Sequence, residues 1–308
     1  MIFEQLQQGR DRFTVPYTDL FAAITTGEVG LQEGGAEPVN PLFGNDPVFD
    51  RAQIIPMPEG GRVLPRITTK SNVRAAAPGA YGRGRLTDTV VGGWQAEPHL
   101  LVTYAEVNRA VLMQDHDGTI EALVRLGLLR GLRDGLTEML LVGTGTNNEA
   151  LGLMAHSDVH GHAYPNSGSL AEADILAAKG TLTASGVRQG NLTAVMSPSG
   201  FNYAVKTART APAELPLMEG NRLLGLWPAD ESLFLPDYLD GTNALIDVGG
   251  TMILGDFSYA AIALFGPGMG IQVSGLRNTA EVELAGLVHY DVGPLDPAAF
   301  NVITRAAS

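Results

Sequence analysis

An α+β fold is predicted, on three observations. One long helical pattern runs from Gly118 to Val142, where Ile120, Leu123, Val124, Leu128, Leu132, Leu136, Met139 and Leu140 keep a three- and four-residue spacing. From Leu223 onward, short apolar runs bounded by glycine, proline and aspartate dominate, which is the pattern of strands. Nowhere do helices and strands alternate in the regular β–α–β order that builds a parallel sheet.

The elements follow in order. Residues 1–52 read as an extended arm, because Gly27, Gly30, Gly34, Gly35, Pro38, Pro41, Gly44 and Pro47 interrupt every element that could start. Its apolar anchors are sparse: Phe3, Phe13, Leu20, Phe21, Leu42, Phe43 and Phe49. Residues 61–68 read as a strand entering a hairpin and 86–94 as its return, with Pro78, Gly79, Gly82 and Gly84 at the tip.

The 118–142 helix is about 37 Å long at ~1.5 Å per residue. Asp115 and Asp117 favour its N-terminal dipole and Gly143 stops it. Gly127, Gly131 and Gly135 recur on one face and predict close packing against a strand or neighbour. A membrane helix pair is excluded by Arg125, Arg130, Arg133 and Asp134 between them.

Ser169 and Glu172 predict a capping box that opens a helix to about Gly186. Residues 192–196 (LTAVM) read as a short buried strand. Ser197 and Pro198 then cap a helix through Arg209. Strands are predicted at LLGLW, SLFLP, NALID, TMILGDF, YAAIALF, GIQVSGL and over 280–292, and a helical turn at the terminal PAAFNVIT.

Composition excludes several function classes. The chain has 308 residues with 45% apolar and 17% charged, enough to bury a sizeable core. Its 38 glycines make it hinge-rich against the usual ~7%. Zero cysteines rule out disulfides, thiol catalysis, iron–sulfur clusters and cysteine-ligated zinc. A net charge of -13 argues against a broad grip on nucleic-acid phosphates. No apolar run approaches the ~20 residues of a membrane span, and the N-terminus lacks a signal-peptide core. The expectation is a protein made in the cytoplasm with no membrane partner.

The charge is unevenly placed. Between Gly60 and Thr87 no acid occurs, while Arg62, Arg66, Lys70, Arg74, Arg83 and Arg85 give that segment +6 and leave -19 elsewhere. The segment is rich in small residues and cannot build its own core. It reads as a solvated loop or as a projecting basic arm that docks on an acidic surface, for which a second copy of the chain is a natural partner. A nucleic-acid arm has weak support, since Tyr81 alone could stack on a base.

Enzyme signatures are weak. GTGTNN (143–148) follows a helix rather than a strand and lacks GK[ST], so a helix C-terminal turn is the better reading. His156, His160 and His162 with Asp158 could meet a metal, but Gly161 breaks a helix there and no HExxH pattern exists, which favours a surface loop. No GxSxG elbow is present. Asp237, Asp240 and Asp247 are spaced as turn residues. Glu281 and Glu283 share one face of a strand, and Trp94 and Trp227 read as packing. No catalytic residue, metal or cofactor is expected.

The order of these elements resembles the major capsid proteins of tailed phages with the Hong Kong 97-like fold, over nearly the whole chain. GTGTNNEALGLM (143–154) is similar to the family's glycine-rich turn followed by N-x-P-x-G-L, with Ala150 where proline is usual. TAVMSPSGF (193–201), LGDFSYAAI (254–262) and DPAAF (296–300) resemble its later signatures.

The resemblance implies an N-terminal arm over 1–52, a lead-in to the P-domain over 53–60 and an E-loop hairpin over 61–95. It further implies a P-domain with its spine helix over 96–154, an A-domain over 155–272 and a return to the P-domain over 273–308. Subunit contacts would then come from Arg62, Arg66, Lys70, Arg74, Arg83 and Arg85 of the E-loop and from Phe3, Phe13, Phe21 and Phe43 of the arm.

The implied function is an icosahedral shell of pentamers and hexamers around the double-stranded DNA of a tailed phage, located in the virion and assembled in the host cytoplasm. Portal and decoration proteins are implied partners. The arm starting near Met1 points to a separate scaffold protein, and Lys70, near the hairpin base, does not suit an isopeptide crosslink. An acidic wall would also avoid trapping DNA. An encapsulin-like compartment and a metal-dependent enzyme using the 156–162 histidines are the alternatives.

Overall fold

The computed structural model describes residues 12–16, 46–57, 62–67, 91–108, 119–165, 170–208, 216–237, 250–275 and 281–305. Its elements run β1 (Arg12–Pro16), α1 (Pro47–Arg51), β2 (Gln53–Met57), β3 (Arg62–Ile67), β4 (Val91–Ala96), β5 (His99–Asn108) and α2 (Thr119–Val142). There follow β6 (His160–Tyr164), α3 (Glu172–Ala184), β7 (Thr193–Met196), α4 (Pro198–Lys206), β8 (Met218–Glu219), β9 (Arg222–Leu223) and β10 (Trp227–Glu231). The chain closes with β11 (Met252–Gly255), β12 (Ala260–Gly275), β13 (Glu281–Pro294) and β14 (Phe300–Arg305).

Two mixed sheets and a two-stranded ribbon result, an α+β arrangement. The first sheet has the order β1-β12-β13-β5, with β2 parallel to β12 on the same edge as β1. The second is seven-stranded in the order β6-β14-β11-β7-β10-β9-β8. β3 and β4 pair as the ribbon.

Helix α2 lies on the first sheet through Leu129, Leu132, Leu136 and Leu140, which share one core with Ile262, Leu264, Val288 and Tyr290. Four leucines buried at ~1.5–3 kcal/mol each outweigh the ~1 kcal/mol each of three glycines in the same helix. Those glycines divide by environment. A Cβ on Gly131 would lie 2.8 Å from Thr103 Oγ1, and one on Gly135 3.2 Å from Leu101 Cδ2, so both allow α2 to approach β5. Gly127 faces open space.

The second sheet is covered on both faces. Val195, Ile253 and Phe300 point into the core under α2, while Ala194, Met196, Leu254 and Ile303 pack with Ile175, Leu182 and Ala204 of α3 and α4. Burial on both sides explains why LTAVM and TMILG are unbroken apolar runs rather than alternating ones.

Several expectations are corrected. Pro47 does not break an element. Asp46 accepts the Val48 N–H at 2.9 Å and Pro47 occupies the first turn, where its missing N–H costs nothing, so α1 forms inside the expected arm. At α3 the cap is Ala171, whose N–H donates to Asp174 Oδ2 at 3.0 Å, and Ser169 lies outside the described residues. Helix α4 ends at Lys206 rather than Arg209.

LLGLW is split by a turn with Leu224 and Gly225 at positive φ, and the strand begins at Trp227. SLFLP is a turn in which Leu235 is buried and Leu233 exposed. NALID lies outside the described residues. YAAIALF and GIQVSG are one 16-residue strand with a register irregularity between Phe265 and Gly270. PAAFNVIT is a short 3-10 turn capped by Asp296, then β14, which enters the second sheet because Phe300 and Ile303 fill opposite cores.

The exit of α2 has the closest backbone approach. The Gly152 N–H donates to Gly143 O at 2.9 Å, and Leu153 and Met154 donate to Leu140 and Leu141. A Cβ on Gly143 would overlap the carbonyl oxygens of Ala150 and Met139, and one on Gly152 would sit 2.5 Å from Gly143 N. These are main-chain atoms that cannot step aside. Gly152→Ala is expected to cost at least about 2 kcal/mol. Gly127→Ala should be neutral or stabilising by up to about 1 kcal/mol. Urea denaturation midpoints compare them.

Candidate assembly interface

Two groups of side chains organise the fold: the charged node that joins the two sheets, and the seat of the ribbon. The node begins on α2. Arg133 sits on the same stripe as Leu129, Leu136 and Leu140, and its side chain is 2% exposed. Its guanidinium donates to Asp46 O at 3.2 Å and to Asp50 Oδ2 at 2.9 Å, and it stacks over the Phe49 ring at 4.9 Å.

Asp46 Oδ2 in turn accepts the Ser232 hydroxyl at 2.6 Å, just beyond β10. Arg51 reaches Asp230 on β10 at 2.5 Å. Burial holds the Asp46 carboxyl above the ordinary carboxylate range, against the hydrogen bonds from Ser232 and Val48 and the charge of Arg133. Asp134 is raised chiefly by burial too. Helix α2 of the first sheet is thus tied through α1 to β10 of the second.

The ribbon sits on the first sheet through Leu64, Trp94 and Ala96, against Ile55, Met57, Ala263 and Phe265. Beside this seat Asp291 accepts the Glu97 N–H at 2.9 Å, and burial pushes its carboxyl up to about 6. The base of the ribbon therefore rests on a small apolar footing with one buried acid beside it.

The predicted contact residues fall unevenly in the structure. Phe13 lies on β1, in register with Ile271 of β12. Arg62 and Arg66 lie on β3, opposite Ala96 and Gly92 of β4. Lys70, Arg74, Arg83, Arg85, Phe3, Phe21 and Phe43 lie outside the described residues, as do Asp240 and Asp247. Exposed apolar side chains include Tyr104 at 65% and Leu100 on β5, the last strand of the first sheet.

The histidines are not a surface loop, because His160 and His162 belong to β6. His160 Nε2 lies 3.1 Å from Ser185 Oγ, and His162 Nε2 lies 3.1 Å from Asp174 Oδ1, so both are held by α3. His156 Nδ1 accepts the Asp158 N–H. Among the described residues, no three histidines or acids form a metal-holding group. No described helix is long and apolar enough to cross a membrane.

Asp237 accepts from the Ser199 N–H and hydroxyl at the start of α4. Thr144, Thr146 and Glu149 hold the 143–149 turn together. Trp227 is buried as core.

Sequence reasoning missed Arg133 and Asp291. Arg133 had a signal, a charge repeated in phase with the apolar stripe. Asp291 had a weaker one, an acid inside an apolar strand.

Residues 39–304 match the model of the phage capsid family. The fold is similar to the capsid of the empty GTA particle, with a TM-score of 0.67 at 16% identity over 92% of this chain and 98% of that one. It is also similar to a chain from Gordonia phage Cozz (TM-score 0.61, 16% identity, 92% and 94% covered). A chain from Mycobacterium phage Ogopogo matches with a TM-score of 0.55 at 16% identity over 92% and 99%. No curated protein matches the chain.

Arg133→Met is expected to destabilise the protein by about 1–3 kcal/mol, because it leaves the buried Asp46 carbonyl without its donor. Asp50→Asn should cost at most about 1 kcal/mol, since that carboxylate is 68% exposed. Chemical denaturation midpoints check both.

Proposed function

The chain belongs to the phage capsid family, and from that premise we propose that it is a tailed phage's major capsid protein, forming pentamers and hexamers around double-stranded DNA. The observation that carries this reading is the family match over 39–304, joined to a fold shared over more than nine-tenths of both chains compared. The protein is a structural component of an icosahedral phage shell, built from copies of itself, and its place is the virion.

The finer parts follow from the subunit's own features. Residues 1–52 serve as the arm and 61–95 as the E-loop, each reaching a neighbouring copy. The spine helix is α2, and the second sheet with α3 and α4 forms the A-domain, which takes in β14 from the expected 273–308 return and leaves β12 of the expected 155–272 to the first sheet. The basic residues between Gly60 and Thr87 meet the acidic remainder of a neighbour, a contact that salt screens within about 10 Å at 0.1 M. Glycine-rich connections let one chain bend to fit both five-fold and six-fold rings.

DNA is enclosed without base recognition. Scaffold, portal and decoration proteins are separate chains, and assembly occurs in the host cytoplasm. The node around Arg133 supports a role as a rigid unit moved as one piece during assembly.

Negative-stain microscopy of virions carrying this protein is expected to show closed polyhedral shells with five- and six-fold clusters. Small DNA-free particles filled with protein would instead indicate a cargo compartment, and dispersed subunits would end the shell reading. On a denaturing gel this chain should run at 32.5 kDa, with no ladder of its multiples. A ladder of multimers would show that Lys70 or another lysine is crosslinked after all.

A further inference from the structure

Two aspartyl–prolyl bonds occur in the sequence, Asp46–Pro47 before α1 and Asp296–Pro297 before the turn that leads into β14. Such a bond is chemically weak in acid. The aspartate carboxyl lies beside its own main-chain carbonyl, and a proline nitrogen is more basic than other amide nitrogens and leaves more readily.

The two bonds share a local geometry and differ in their surroundings. Each aspartate accepts the N–H two residues on, from Val48 at 2.9 Å and from Ala298 at 3.2 Å. The Asp296 carbonyl accepts the Ala299 N–H at 3.0 Å, and the residue is half-buried.

Asp46 is buried and held from two further elements. Its Oδ2 accepts the Ser232 hydroxyl at 2.6 Å, and its carbonyl accepts from Arg133 Nη2 at 3.2 Å. Ser232 is itself buried and fixed: its hydroxyl also accepts the Phe234 N–H at 3.4 Å, and its own N–H donates to Met196 O at 2.9 Å. The other charged groups around Asp46 are Asp134 on α2, Asp50 and Arg51 on α1, and Asp230 on β10.

We propose that Asp46–Pro47 is a latent self-cleavage site, kept whole while β10 holds the Asp46 carboxyl through Ser232, and cut by that carboxyl, in acid, once β10 lets go. In the cut, a carboxyl oxygen attacks the main-chain carbonyl carbon of Asp46 and a C–O bond forms. The C–N bond to Pro47 breaks, and the carboxyl proton passes to the proline nitrogen. A five-membered anhydride remains on Asp46, and water opens it to two carboxyl groups.

The folded surroundings oppose this at two points. Both carboxyl oxygens are engaged by donors, and burial keeps out the water that opens the anhydride. Arg133 acts the other way, because a cation on the carbonyl oxygen favours attack at its carbon. Ser232 is therefore the restraint that matters most. The cut separates residues 1–46, which carry β1, from the rest of the chain. Among the described residues β1 would then be tied to β12 by strand pairing alone. The site belongs to the single chain and does not rest on the shell reading.

The test uses the full-length chain, incubated at the most acid pH at which its circular dichroism still matches that at neutral pH. Intact-mass spectrometry measures the rates at which pieces ending at Asp46 and at Asp296 appear, with and without guanidinium chloride. The denaturant is expected to accelerate the cut after Asp46 at least about 10-fold more than the cut after Asp296. In the folded chain, Ser232→Ala should raise the cut after Asp46 at least about 10-fold and leave that after Asp296 unchanged. Asp46→Asn should abolish the cut in denaturant, where folding plays no part.

Equal acceleration of both bonds by denaturant, an unchanged cut in folded Ser232→Ala, or persistence of the cut in Asp46→Asn would overturn the proposal. If Ser232→Ala does not fold, the acceleration of the two wild-type bonds decides, together with Asp46→Asn.

Discussion

A guanidinium with no access to water makes the two sheets one body. Arg133 cannot shed its proton, so burying it demands acceptors, and its Nη2 finds two. Asp46 offers its carbonyl and Asp50 its carboxylate, which places α1 against α2. Asp46 then holds Ser232, and through it the end of β10. The apolar core is non-directional and would tolerate small slides of one layer over another. Hydrogen bonds to a cation are directional and add a constraint that burial alone does not.

Around that node the backbone is packed with little tolerance. The exit of α2 folds back on itself through Gly143 and Gly152, whose main chains touch directly. The same strand pair, β12 and β13, serves both halves of the molecule. One face of it lies under α2 through Ile262, Leu264 and Tyr290, and the opposite face of the same stretch receives the ribbon through Ala263 and Phe265. The centre is over-determined by apolar burial and a charged node, whereas the base of the ribbon rests on a small apolar contact.

Much of this organisation was legible from residues alone, and the misses share a cause. The long helix, the helix opened by Ser197 and Pro198, and the packing role of Gly131 and Gly135 follow from local spacing and cap chemistry. Arg133 was legible only as an interruption, because its position on the leucine stripe does not say which acids will meet it. The first of those acids lies 87 residues away in sequence, and Ser232 another 186 from Asp46. The terminal segment was misread because PAAFNVIT has helical turn chemistry at its start. Its later residues are strand only because two separate cores claim Phe300 and Ile303 from opposite sides. Pro47 was misread in the other sense, since proline ends most elements but starts a helix when an aspartate precedes it.

By itself the sequence determined the α+β class, the length and apolar face of the long helix α2, and the absence of thiol chemistry. It also determined the acid-free basic segment and the order of motifs that identifies the family. These are properties of spacing and composition, which act over a few residues at a time. The tertiary structure alone decided which strands pair across 150 residues and more, which charges are buried, and that Asp291 lies at the foot of the ribbon. Burial and long-range pairing arise only when distant segments share a core, and no local pattern encodes which segments those are.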